Sequence, residues 1–141
     1  MPRFIAFASL VALVFTSHVE VQSPGAAALQ GRWVVTAAEH QGKPFDAING
    51  GVMTIVGDAF EVRTASGNML KGTLTLDASK QPSQIDMIHA DGVHWEAIYV
   101  VEGDTLRLNY VDADGKETRP ATFTTSDATE ATVIVLRRES K

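Results

Sequence analysis

The sequence predicts an all-β protein, an antiparallel up-and-down barrel of about eight strands. Short apolar or alternating segments recur about every 8 to 12 residues, and clusters of glycine, aspartate and asparagine separate them. No segment shows the period of a convincing amphipathic helix. When that many strands follow one another through short turns, closure of the sheet into a barrel removes its exposed edges.

The expected strands are of two kinds. Three segments alternate between apolar and polar residues, the two-residue period of a strand with one buried face: residues 60–63, 70–77 and 106–110. Three others are more apolar along their whole length and predict more fully buried strands: residues 52–56, 97–101 and 133–136. Turn-forming residues separate them: Gly57-Asp58, Ser66-Gly67-Asn68, Asp91-Gly92, Gly103-Asp104 and Asp114-Gly115.

Residues 1–28 predict a signal peptide and linker, and residues 29–141 predict the barrel domain. Arg3 precedes an apolar run, residues 4–15, which has the length of a signal-peptide core and is short for a membrane span. We expect export to the periplasm or the extracellular space, with cleavage near Ala28. The alternative is an uncleaved N-terminal anchor, through which alone we would expect membrane contact.

Composition excludes several functional classes. The chain of 141 residues has a net charge of -5 and scattered basic residues, whereas nucleic-acid binding needs a concentrated cationic surface. It contains no cysteine, which excludes disulfides, thiol nucleophiles and thiolate metal sites. Nothing in it is a recognisable catalytic constellation, so we expect neither an enzyme nor a cofactor.

The first strand opens with Gly31-Arg32-Trp33, which resembles the G-x-W start of lipocalin-like barrels. In that family the tryptophan packs at the closed end of the barrel, and an arginine from the last strand lies over it. The resemblance implies that role for Arg137 or Arg138. A guanidinium over an indole ring is a favourable cation–π pair.

The whole run resembles a narrower group, a bacterial family of small exported lipocalin-like domains that is abundant in planctomycetes. The matching segments span residues 29–138: LQGRW, QGKPF, LTLDASKQPSQIDM, AIYVVEGDTLRLN, RPATF and VLRR. Asn109 departs from the pattern, since the family often carries a cysteine there. The resemblance implies the fold and export, and no reaction.

The segment HADGVH, residues 89–94, predicts a tight hairpin. A two-residue Asp-Gly turn of type I′ would pair His89 with His94 and Met87 with Glu96. The two histidines and Glu96 would then form a cluster on the outer face with chemistry that suits a metal ion. Two ligands on a flat strand face rarely hold zinc, so we predict solvated side chains and no metal site.

The same register would point Asp86 into the barrel beside Trp95. A buried carboxylate needs a partner or a shifted pKa. Two interpretations remain open. Asp86 forms a structural salt bridge, for example with Arg107 or Arg119, or it is the polar anchor of a ligand site.

These observations lead to two hypotheses about function. The first is a barrel that binds a small apolar or amphipathic ligand inside, lined by Val35, Phe60, Leu74, Asp86, Trp95, Tyr99 and Leu108. The second is a barrel filled by its own side chains, acting as a structural or interaction module that binds an envelope protein. Small barrels that inhibit proteases are a precedent by fold analogy. An enzyme that uses the two histidines for acid–base work is the least favoured alternative.

Overall fold

The computed structural model describes residues 26–139; residues 1–25 of the predicted signal peptide and linker lie outside the described residues. The described part contains a short helix, a 3₁₀ turn at Asp46–Ile48 and nine strands. The bounds are α1 Ala26–Leu29, β1 Gly31–His40, β2 Lys43–Pro44, β3 Val52–Val56, β4 Ala59–Arg63, β5 Met69–Asp77, β6 Ser83–His89, β7 His94–Glu102, β8 Thr105–Asp112 and β9 Thr132–Arg138. No helix of residues 26–139 is long and apolar enough to cross a membrane.

Strands β1 and β3–β9 form a closed antiparallel barrel of eight strands, which confirms the predicted fold class. From β3 onward each strand pairs with the next, and β1 closes the barrel by pairing with both β3 and β9. The short β2 lies against the end of β1. The pairing of β1 with β9 shifts between Val35 and Ala37, a bulge that bends the strand where the barrel must curve.

Side chains fill the interior from one end of the barrel to beyond its middle. The core includes Trp33, Ile55, Met87, Leu106, Leu108 and Leu136, each at most 2% exposed. A side chain with so little accessible surface has no water-sized void beside it. Leu108 was predicted to line a ligand site, but it belongs to this packed core.

Trp33 and Arg138 close the filled end, called here the closed end. The Arg138 guanidinium carbon lies 4.2 Å from the centre of the Trp33 ring, and its two amino groups donate to the carbonyls of Ala28 and Gln30. Gly31 has a φ of 117°, and an added Cβ would lie 3.1 Å from Arg138 Nη1. The backbone conformation therefore favours glycine there, and a larger residue would also press on the Arg138 guanidinium. Arg137, the other candidate, is exposed.

A long connection between β8 and β9, residues 113–131 and called here the strap, crosses the outside of the barrel. Asn109 holds it by donating to the carbonyls of Thr122 at 2.7 Å and Thr124 at 3.2 Å. Asn109 is 1% exposed although it faces outward, because the strap covers it. The strap therefore buries part of the barrel's outer surface as a second layer.

Candidate functional site at the open end of the barrel

The turn between β6 and β7 contains three residues where the sequence predicted two. The His89 amide donates to the Val93 carbonyl at 2.8 Å, and the Gly92 amide donates to the His89 carbonyl at 2.9 Å. Gly92 has a φ of 93°, in the left-handed region. This geometry is a three-residue hairpin loop with a bulge at glycine, a common alternative to the two-residue Asp-Gly turn.

The extra loop residue shifts the register by one. This shift turns the side chains of β6 to the face opposite the predicted one, while those of β7 keep their predicted faces. Ile88 pairs with His94, and Met87 pairs with Trp95. His89 was predicted to face solvent but points into the barrel, where it is 5% exposed. His94 and Glu96 lie on the opposite, outer face. The predicted cluster of His89, His94 and Glu96 therefore does not form.

Asp86 is also on the outer face, so its predicted position inside the barrel is wrong. Its Oδ1 accepts a hydrogen bond from Arg119 Nη2 at 2.5 Å. Its Oδ2 lies 3.3 Å from His94 Nε2, but these two atoms do not have the geometry of a hydrogen bond. Arg119 also donates to the carbonyls of Ile85 and Ala97, at 3.2 and 2.8 Å. Asp86 thus anchors the strap to the barrel wall through Arg119 and does not face a ligand. Residues 26–139 contain no group of three or more histidine, aspartate or glutamate side chains arranged to hold a metal.

Four rings form a continuous row inside the end opposite the closed end, called here the aromatic row: Phe60, His89, Trp95 and Tyr110. His89 meets Phe60 edge-on at 5.3 Å and Trp95 edge-on at 4.2 Å, and Trp95 stacks on Tyr110 at 4.3 Å and 22°. These distances lie near or within the range of favourable aromatic pairs. Four strands, β4, β6, β7 and β8, each contribute one ring, so the row depends on the correct register of all of them.

The core is more exposed to solvent at this end of the barrel than elsewhere. Among residues 26–139, seven partly buried apolar side chains pack on the core, and five of them lie at this end: Ala38, Ile48, Val62, Trp95 and Tyr110. Next to the row is an open groove of about 310 Å³ lined by Met69, Leu70, Lys71, His89, Ala90 and Asp91. This part of the molecule is called here the open end.

His89 provides the polar atom of this site. Its Nε2 is buried and has no hydrogen-bonding partner in the described structure. Burial lowers the pKa of His89, although the nearby carboxylates of Asp91 and Asp112 act in the opposite direction. A neutral imidazole with an unused ring nitrogen can accept or donate one hydrogen bond, depending on its tautomer.

Tyr110 adds a second polar group at the other end of the row. Burial raises its pKa, while a hydrogen bond with Thr132 lowers it. The Thr132 hydroxyl is in turn 2.9 Å from His40 Nδ1. Thr132 therefore lies close to the Tyr110 hydroxyl, whereas His89 Nε2 is a buried polar atom of the row without a hydrogen-bonding partner.

The structure brings together only some of the residues that the sequence proposed as a site. Phe60 and Trp95 belong to the aromatic row. Tyr99 is buried nearer the closed end. His89 was predicted to face solvent, and Tyr110 was not proposed as a ligand-binding residue. Tyr110 could have been found, because it has the same strand parity as Leu106 and Leu108.

The comparisons with known proteins add little to this geometry. No family model and no curated protein matches the sequence. Among solved structures, the chain is similar to a de novo designed, fluorescence-activating β-barrel, with 16% identity and a TM-score of 0.47, over 81% of this chain and 96% of the designed one. The fold assignment therefore rests on the strand pairing itself.

Proposed function

We propose that this protein is a lipocalin-like binding protein that takes a small planar, largely apolar ligand at the open end of its barrel. The observation that carries the proposal is the aromatic row beside an open groove, with one buried and unpartnered nitrogen, His89 Nε2. Ligand sites are mostly apolar concavities with a few polar groups that fix orientation. The groove of about 310 Å³ is at the small end of the usual size range.

The packed core limits where such a ligand would bind. Met87 pairs with Trp95 directly below the row and is 1% exposed, so a ligand stops at the row and does not enter the middle of the barrel. We infer a shallow site in which the ligand packs on Trp95 and hydrogen-bonds to His89. The export expected from residues 1–28 would place this site in the periplasm or outside the cell.

A matched pair of probes tests the proposal. We expect 2-naphthol to cause saturable amide shifts at His89, Trp95 and Tyr110 in NMR titrations, and naphthalene to bind several-fold more weakly because it lacks the hydroxyl. His89→Phe keeps a ring but removes the nitrogen, and it should abolish the difference between the two probes. Trp95→Leu should weaken both. His94→Gln, on the outer face of the same hairpin, should change neither.

Saturable shifts away from the open end, or equal affinities of the wild-type protein and Trp95→Leu for 2-naphthol, would overturn the proposed site. A well-dispersed amide spectrum for each variant would show that it folds. The comparison therefore separates loss of the site from loss of structure.

The second candidate function is a protein-interaction module. Two large apolar side chains on the outer face, Met69 and Ile88, are 42% and 40% exposed, and Met69 borders the groove. An envelope protein that covered them would also close the open end. This alternative predicts that Met69→Ser and Ile88→Ser would release a protein partner retained in gentle purification, while 2-naphthol shows no saturable binding.

A further inference from the structure

A second cavity lies at the barrel wall near the closed end, where β6 is shorter than its neighbour β7. The pairing of β6 with β7 ends at Ser83 and Tyr99, while β7 continues to Glu102. Val101 therefore has no ladder partner on that side. The resulting cavity of about 270 Å³, called here the notch, is lined by Gln81, Pro82, Ser83, Tyr99, Val100, Val101 and Phe123.

The notch is lined mostly by apolar side chains and contains the buried hydroxyl of Tyr99. Tyr99 is 3% exposed, and its hydroxyl is buried without a hydrogen bond of good geometry, although Ser83 lies close enough to affect it. Burial raises the pKa of Tyr99, so the hydroxyl stays protonated and can donate. An unpaired buried hydroxyl is costly, and a ligand that accepts its hydrogen bond would recover that cost.

A positive charge lies next to the same notch. Arg107 pairs across the sheet with Val100, and its guanidinium carbon is 6.0 Å from the centre of the Phe123 ring. Both of these neighbours line the notch. Among residues 26–139, the ion pairs of the structure do not include Arg107. Its charge is therefore available to an anion at the rim.

We propose that the notch binds a small apolar carboxylic acid. The apolar part packs against Pro82, Val101 and Phe123, and the carboxylate accepts the hydrogen bond of the Tyr99 hydroxyl within the field of Arg107. A hydrogen bond to a charged acceptor is stronger than one to a neutral acceptor, which favours an acid over an alcohol of the same shape. The site is separate from the aromatic row and does not depend on the function proposed for it.

The test compares 3-phenylpropanoate with 3-phenylpropan-1-ol, which has the same apolar part and no charge. We expect saturable amide shifts at Ser83, Tyr99, Val101 and Phe123 with the acid, and at least about fivefold weaker binding of the alcohol. Tyr99→Phe removes one oxygen atom and should weaken the acid at least about fivefold. Arg107→Gln should also weaken the acid while leaving the alcohol unchanged.

Trp95→Leu is the control, because it alters the open end and should leave the binding of 3-phenylpropanoate unchanged. Shifts that map to the aromatic row, the absence of saturable binding, or unchanged affinity in both Tyr99→Phe and Arg107→Gln would overturn the proposal. Failure of 2-naphthol binding would bear on the open end alone. The two proposals therefore fail separately.

Discussion

The buried imidazole of His89 links stability to pH at the scale of a single residue. Burial lowers its pKa below the ordinary value of 6.5. As the pH falls through 6.5, the unfolded chain takes up the proton more readily than the folded protein does. The free energy of unfolding that is present above this pH is therefore lost below it. We expect the free energy of unfolding to fall between about pH 7.5 and pH 5.5, in part because of His89.

Urea unfolding at the two pH values tests this contribution. His89→Gln cannot titrate and should show a smaller drop than the wild-type protein, whereas Thr73→Ala, at an exposed position without a titratable group, should retain the drop. A full wild-type drop in His89→Gln would show that the buried imidazole does not contribute. The comparison uses the change with pH, so a constant loss of stability in a variant does not affect it.

Gly72 makes room for the aromatic row. It faces Phe60 across β4 and β5, and an added Cβ would lie 2.1 Å from the Ile88 carbonyl oxygen and 2.7 Å from the Phe60 ring. Since backbone and a packed ring cannot both move aside, Gly72→Ala should destabilise the protein by about 1–3 kcal/mol or more. Thr73→Ala, one residue on and exposed, should change stability by less than about 0.5 kcal/mol. Thermal unfolding measures both, and equal midpoints would contradict the assigned packing.

At the scale of the element, a single loop residue decides which side chains form the site. The sequence located the strands and the turns between them, because apolar alternation and glycine-containing pairs mark both. It did not distinguish a two-residue from a three-residue turn at Asp91-Gly92, since both suit that pair. Burying a carboxylate in the barrel is costly. This cost favours the three-residue turn, which places Asp86 on the outer face and Met87 inside. That argument could be made from the sequence alone. The contact of Asp86 with Arg119 could not be predicted, because Arg119 lies in the strap, a long connection without a periodic pattern.

Arg119 is a charged contact between the strap and the barrel wall. It binds Asp86 and two main-chain carbonyls across β6 and β7. Arg119→Met should destabilise the protein by about 1–3 kcal/mol, because it leaves the half-buried Asp86 without its main partner. Hydrogen exchange should accelerate in residues 117–125. Lys116→Met, at an exposed position in the same strap, is the matched control, and equal exchange in the two variants would mean that Arg119 does not hold the strap.

At the scale of the whole molecule, the barrel is filled at one end and partly open at the other. The closed end was predictable from short motifs, because Gly31, Trp33 and Arg138 lie near the two termini of the barrel and meet when β1 pairs with β9. The degree of filling was not predictable, since it depends on the register of all eight strands together. Because side chains pack the middle of the barrel, the ligand is proposed to bind at the aromatic row and not in the middle.

Native mass spectrometry of the protein, purified gently from its own cells, tests the central claim of a ligand at the open end most directly. The account predicts extra mass of a small organic molecule on the wild-type protein, lost on denaturation and reduced in Trp95→Leu but not in His94→Gln. A bare polypeptide mass for the wild-type protein, or the same bound mass in Trp95→Leu, would contradict it. Co-purification of a protein in place of a small molecule would favour the interaction module.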